Sequence, residues 1–281
     1  MSGDRGFSRR ELIAGGLALA TSPAAAETLL INPIPRDYYF VHAPAGTFAA
    51  RTEQQTHQFR GIRYGQDIRG RRFMPPLPVP ESPELEMGVV PVHVCPQQGD
   101  HYQPQSEDCL FLNIWTPTKP SRLFRPVMVY FHGGAYSSGS VTDPLNDGAT
   151  LSARGDVVVV TVNHRLNALG YLYMPDRFPD SGNTGQLDLI LALQWVQRNI
   201  VAFGGDPKNI TVFGQSGGGA KIATLMAMPS AKGLFHKAIT MSGQQVTASG
   251  PLNAAKRTAA FLAKLDGADP ATVTVELLVA A

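Results

Sequence analysis

Ile210-Thr211-Val212-Phe213-Gly214-Gln215-Ser216-Gly217-Gly218-Gly219 decides the fold. A β-branched run ends in glycine, an amide and a serine follow, and three more glycines come next. The run suits a strand buried on both faces. The glycines suit the first turn of a helix that must pack tightly. Joined, they form a strand-to-helix elbow, a bend that strains the backbone and raises the serine hydroxyl into the open, while glycines on either side relieve the crowding. A bare G-x-S-x-G arises by chance in roughly one chain in ten of this size, so the flanking residues carry the weight of the reading.

Working upstream, Gly204-Gly205-Asp206-Pro207 stands just before this strand. It stops a helix that the periodicity predicts from a start near 184–188 to residue 203, with apolar residues at 187, 190, 191, 193, 196 and 200. Glycine accepts a left-handed cap, and proline cannot continue a helix. Residues 110–115, 127–131 and 157–162 are further short apolar runs that suit buried strands. Downstream, a helix should start at Gly217 and another amphipathic helix should span 254–265. Alternating strands and helices predict an α/β sheet with crossover helices. Residues 27–105, rich in Pro, Gly and Arg, predict short strands and loops at the edge of that sheet. Residues 271–281 end on Leu-Leu-Val-Ala-Ala without a cap.

A second chemical element is Phe131-His132-Gly133-Gly134-Ala135-Tyr136, directly after the run 127–131. Small residues at a strand end let backbone N–H groups point into a cavity. Acyl transfer needs such donors where a carbonyl oxygen gains charge, and losing one costs about a hundredfold or more in rate.

The chain has 281 residues, 43% hydrophobic and 16% charged, with a net charge of +2. That composition buries a substantial core in one large domain or two small ones, and it is not that of a disordered chain. The near-neutral balance gives no reason to expect nucleic acid or an acidic membrane as partner. No apolar run is long enough to span a bilayer. No metal and no cofactor is expected. Ser8-Arg9-Arg10-Glu11-Leu12 is a twin-arginine pattern, residues 12–20 form a short apolar region, and Pro23-Ala24-Ala25-Ala26 offers a cleavage site. Residues 1–26 therefore read as an export signal, with 27–281 as the folded domain and a periplasmic or secreted location. Cys95 and Cys109 are spaced unlike a zinc site. In an exported protein they suit one disulfide closing a short loop, worth about 3 kcal/mol on the chain-entropy view; two free buried thiols are the alternative.

From about residue 40 to 250 the chain resembles the type-B carboxylesterase and lipase family, which includes the cholinesterases. Two long segments carry the likeness: Glu107-Asp108-Cys109-Leu110-Phe111-Leu112-Asn113-Ile114-Trp115-Thr116-Pro117, and Phe203-Gly204-Gly205-Asp206-Pro207-Lys208-Asn209 running on into the elbow. The resemblance implies an α/β-hydrolase fold with a mostly parallel central sheet. It implies Ser216 as the nucleophile that becomes acylated, with the N–H groups of Gly134, Ala135 and Gly217 as the oxyanion hole. It implies that Cys95 and Cys109 form the family's first disulfide, and that Arg72 with Glu107 and Arg165 with Asp188 are two buried structural ion pairs. The substrate expected is a small uncharged carboxylic ester. Gln215 stands where many relatives carry glutamate, so no preference for cationic esters is expected.

In this family the acid and the histidine of the triad follow the nucleophile at a distance, whereas 65 residues follow Ser216 here and His236 is the one histidine among them. The sequence therefore reads as a truncated hydrolase domain, incomplete at the C-terminal side of its sheet. The alternative function is a catalytically impaired or non-catalytic esterase-like protein. His236 itself reads as structural.

Overall fold

The computed structural model describes residues 38–82, 85–87 (backbone only), 92–243 and 249–281. The proposed export signal at 1–26 lies outside the described residues. Strands are β1 (Tyr38–Ala43), β2 (Gly46–Glu53), β3 (Thr56–Arg63), β4 (Leu85–Met87), β5 (Phe111–Pro117), β6 (Arg125–Phe131), β7 (Val158–Val162), β8 (Gly205–Gln215) and β9 (Lys237–Met241). Helices are α1 (Ala149–Gly155), α2 (Asn167–Tyr171), α3 (Thr184–Asn199), α4 (Gly217–Ala227), α5 (Pro251–Lys264) and α6 (Val275–Ala280).

The described strands form one sheet in the order β1-β2-β3-β5-β7-β6-β8-β9, with β4 set against β2. The sheet is mixed. Strands β7, β6, β8 and β9 run parallel to one another, whereas β1, β2, β3, β5 and β7 are joined by antiparallel pairing. The all-apolar strands lie in the middle, where every residue of β5 and β7 is buried. Their side chains alternate between two cores. Ile114, Val158 and Val160 join the large core beneath α3, while Trp115 and Val159 pack with Ala149 of α1 on the other face. Burial on both faces is the reason these runs show no polar alternation.

The helix expected from near 184–188 to 203 is α3 followed by a 3-10 turn, Ile200–Phe203. Gly204 closes it in the left-handed region, φ 81°, with its N–H directed at the Ile200 and Val201 carbonyls. The strand read at 210–213 begins earlier, at Gly205. Pro207, which as a strand breaker hides this extension from the sequence, falls where the pairing with β6 shifts register between Arg125 and Val127.

Strand order creates the site. From β6 the chain crosses through α1 to β7 on one side, then returns through α3 to β8 on the other. Strands β7 and β8 thus flank β6 on opposite sides, reached by crossovers in opposite directions, and such a switch point leaves a crevice beyond the carboxyl ends of the strands.

Candidate active site

Strands β6 and β8 pair with Phe131 level with Gly214, so both chains leave the sheet at the same edge. After β8, Ser216 takes φ 54° and ψ −122°, a conformation costing a non-glycine residue on the order of 1–3 kcal/mol. Neighbours hold it there. Its N–H donates to Met241 O at 2.8 Å, and its carbonyl accepts the Ala220 N–H at 3.1 Å as α4 begins. The residue is half-buried, and its hydroxyl makes no hydrogen bond among the described residues.

After β6 the backbone enters the left-handed region twice, at Gly134 (φ 81°) and at Ala135 (φ 55°). Ser137 and Ser138 N–H groups close the turn on Gly134 O at 3.2 and 3.1 Å. This turn lies against the elbow. A Cβ added to Gly133 would stand 3.6 Å from Ser216 Cβ, and one added to Gly217 would stand 2.2 Å from Ala135 O. Gly134 and Ala135 are exposed. The N–H groups of Gly134, Ala135 and Gly217 meet no acceptor among the described residues. Three unspent donors therefore lie on the turn and the elbow that pack together at the half-buried Ser216.

A buried layer backs the turn. His132 Nδ1 lies 3.0 Å from Gly133 O; a carbonyl only accepts, so Nδ1 carries the proton and Nε2 is a bare lone pair. Nε2 has no partner, and neither ring nitrogen of His164 makes a well-formed hydrogen bond. The two rings sit 4.5 Å apart. Burial, with the nearby Lys221 ammonium second, lowers the His132 pKa to about 3 and takes that of His164 well below its ordinary value. Both rings are neutral near pH 7. Lys221 of α4 is itself fully buried and donates to His132 O at 3.3 Å.

The structure gathers Ser216, Gly134, Ala135 and Gly217 at one place. It pairs Arg165 with Asp188, both side chains wholly buried, through Nε to Oδ2 at 2.8 Å and Nη2 to Oδ1 at 2.6 Å. It pairs Arg72 with Glu107, nearly buried, through Nε to Oε2 at 2.7 Å. The expected disulfide is not formed: Cys95 and Cys109 are free, buried thiols. Cys95 Sγ accepts the Leu166 N–H at 3.2 Å, and a hydrogen bond to Cys95, with burial, raises the Cys109 thiol well above its ordinary pKa. His236 is held by the sheet, its Nδ1 accepting the Ile210 N–H at 3.1 Å. Asp269 pairs with Arg177. Gln215 is exposed, its Oε1 3.3 Å from a Cβ built on Gly133. Lys221 was not singled out by the sequence reading; its signal is one charge inside the apolar run Ala220-Lys221-Ile222 on the helix that the serine opens. Among the described residues, no group of three or more His, Cys, Asp or Glu could hold a metal ion, and no helix is long and apolar enough to cross a membrane.

Residues 44–278 match the carboxylesterase family. The para-nitrobenzyl esterase of Bacillus subtilis is 45% identical over 231 residues, which are 77% of this chain and 46% of that protein. The cholinesterase of Mus musculus is 40% identical over 199 residues, 66% of this chain and 33% of that protein. Among solved structures, a thermophilic PNB esterase superposes with a TM-score of 0.80 at 42% identity, covering 86% of this chain and 52% of that one. A carboxylesterase of Geobacillus stearothermophilus gives 0.81 at 34% identity, covering the same 86% and 52%. The chain spans between a third and about half the length of these relatives. These neighbours are esterases of the α/β-hydrolase fold, and that is the fold of this sheet and its helices.

Proposed function

Because the chain belongs to the carboxylesterase family, we propose that it is a serine hydrolase of small uncharged carboxylic esters. Ser216 Oγ attacks the ester carbonyl carbon. The carbonyl oxygen takes up the electron pair and is met by the N–H groups of Gly134, Ala135 and Gly217. Collapse breaks the bond to the alcohol oxygen, which leaves as the alcohol with the proton that Oγ gave up, and the acyl group stays on Ser216; water then adds to the acyl carbon, and the acid leaves as a water proton returns to Oγ. A serine needs a base to take its proton, and among the described residues no imidazole or carboxylate bonds to Ser216 Oγ. That observation favours a second reading, in which the described residues bind and orient an ester but turn it over poorly.

One observation carries the proposal: three N–H groups without acceptors beside a half-buried serine hydroxyl on a strained bend. The exposed neutral Gln215 supports uncharged esters. Residues 1–26 we read as a twin-arginine signal, which would place the protein outside the cytoplasm. A fluorophosphonate probe with a p-nitrophenyl acetate assay tests the chemistry. Labelling and hydrolysis that Ser216→Ala abolishes are expected. Labelling without turnover selects the second reading, and no labelling of folded protein overturns the serine mechanism.

A further inference from the structure

The helix that begins at Ser216 carries a lysine one turn beyond Gly217, on the face turned toward the oxyanion loop. Lys221 has no exposed surface, and among the described residues no carboxylate pairs with it. Its Nζ reaches the His132 carbonyl at 3.3 Å and lies 5.4 Å from the centre of the Tyr136 ring. Its own carbonyl is fixed by Gln186 Nε2 at 3.1 Å. His132 and Tyr136 bracket Gly133-Gly134-Ala135. The serine and Gly217 belong to one element and the other two donors to another, so hydrolysis needs a device that keeps the two in register.

We propose that Lys221 is a positioning residue, tying the carbonyl of His132 to the helix of Ser216 and so holding the Gly134 and Ala135 N–H groups over the serine. This rests on the serine-hydrolase reading. The titratable groups facing the tie are His132, His164, Tyr136, Tyr171 and Cys95. Among them His132 extends the same chain of bonds, because it donates to Gly133 O, the carbonyl of the peptide that presents the Gly134 N–H. An amine donates in either protonation state, so the tie survives neutralisation. Burial that strips an ammonium of solvent without a counter-charge carries a cost; a methionine would fill the same space without it. What methionine lacks is the donor.

The test compares the native protein with Lys221→Met, which removes the donor, and Lys221→Arg, which restores one. Read-outs are the rate of fluorophosphonate labelling, the affinity for an uncharged trifluoromethyl ketone that forms an oxyanion on Ser216, and KM for p-nitrophenyl acetate. In Lys221→Met we expect labelling and ketone affinity to fall tenfold or more with KM within twofold, and Lys221→Arg to recover part of the loss. A folded Lys221→Met that labels within twofold of native overturns the proposal and leaves the hydrolase reading standing. If the native protein is not labelled, or Lys221→Met does not fold, NMR on the native protein decides. The His132 carbonyl 13C and Gly134 15N signals should follow the titration of the Lys221 Cε signal, and signals that stay flat overturn the tie.

Discussion

Gly218 lies so close to Phe131 that a Cβ on it would stand 2.0 Å from the Phe131 carbonyl oxygen. The helix of the serine and the strand before the Gly133–Ala135 turn meet backbone to backbone there, with no side chain between them. That contact limits how far the helix and the turn can move apart or together. The obstacle is main chain, which cannot swing aside, so one methyl group must separate α4 from β6. Gly218→Ala is expected to cost about 2–4 kcal/mol of stability, as overpacking against fixed backbone does, and to lower fluorophosphonate labelling a hundredfold or more. Thermal melts and labelling rates check both. A variant with native labelling would show that the turn is not placed by this contact.

Strain at the elbow gives a second expectation. Ser216 holds φ 54°, ψ −122°, which glycine adopts freely and other residues do not. Ser216→Gly should be about 1 kcal/mol more stable than Ser216→Ala: relief of the strain outweighs the larger entropy of an unfolded glycine. Both variants should lose labelling, so that stability and activity part company at this residue. Denaturant melts of the two, side by side, decide it; an alanine variant as stable as the glycine one means the bend is unstrained.

The Arg165–Asp188 pair is a clamp on the core rather than a part of the chemistry. Besides the carboxylate, the guanidinium meets Met74 O at 2.8 Å, and Asp188 Oδ2 accepts the Arg165 N–H at 2.9 Å. Removing one partner leaves an uncompensated buried charge. Asp188→Asn or Arg165→Met is expected to cost about 3–5 kcal/mol, while Arg165→Met with Asp188→Leu together should recover much of that. A double-mutant cycle measures the coupling. Single variants costing less than 1 kcal/mol would show that water reaches the pair.

Most of the site was legible because backbone geometry demands small residues there. Gly134, Gly217 and Gly218 sit where a side chain meets main chain, and a strand of β-branched residues before a glycine has few other readings. The ends of α3 were legible for the same reason, since Gly204 is left-handed. Lys221 was not. Helical spacing places a lone lysine on a solvent face by default, and only the fold reveals that α4 is covered on the side of His132 and Tyr136. The cysteines show a different limit. Spacing and likeness bring Cys95 and Cys109 together, but whether two adjacent sulfurs are bonded depends on oxidation, which no residue pattern encodes.

Buried bases make stability depend on pH in two windows. Burial lowers the Lys221 pKa from 10.5 to about 7. Between those values the unfolded chain holds a proton that the folded one lacks, so stability rises with pH from about 7 toward 10.5. Below about 7 both states hold it, and the cost of burying the ammonium is carried in full. His132 and His164 act in the lower window. Each is neutral when folded and protonated when unfolded below 6.5, so stability falls as pH drops below 6.5, for His132 down to about 3. The native protein should therefore gain on Lys221→Met between pH 7 and 9, by an amount on the order of 1–3 kcal/mol, and His164→Phe should flatten the acid limb. Melting temperatures of the three proteins across pH 4–9 test this. Curves for native and Lys221→Met that run parallel from pH 7 to 9 would mean that the lysine keeps its proton in the folded state.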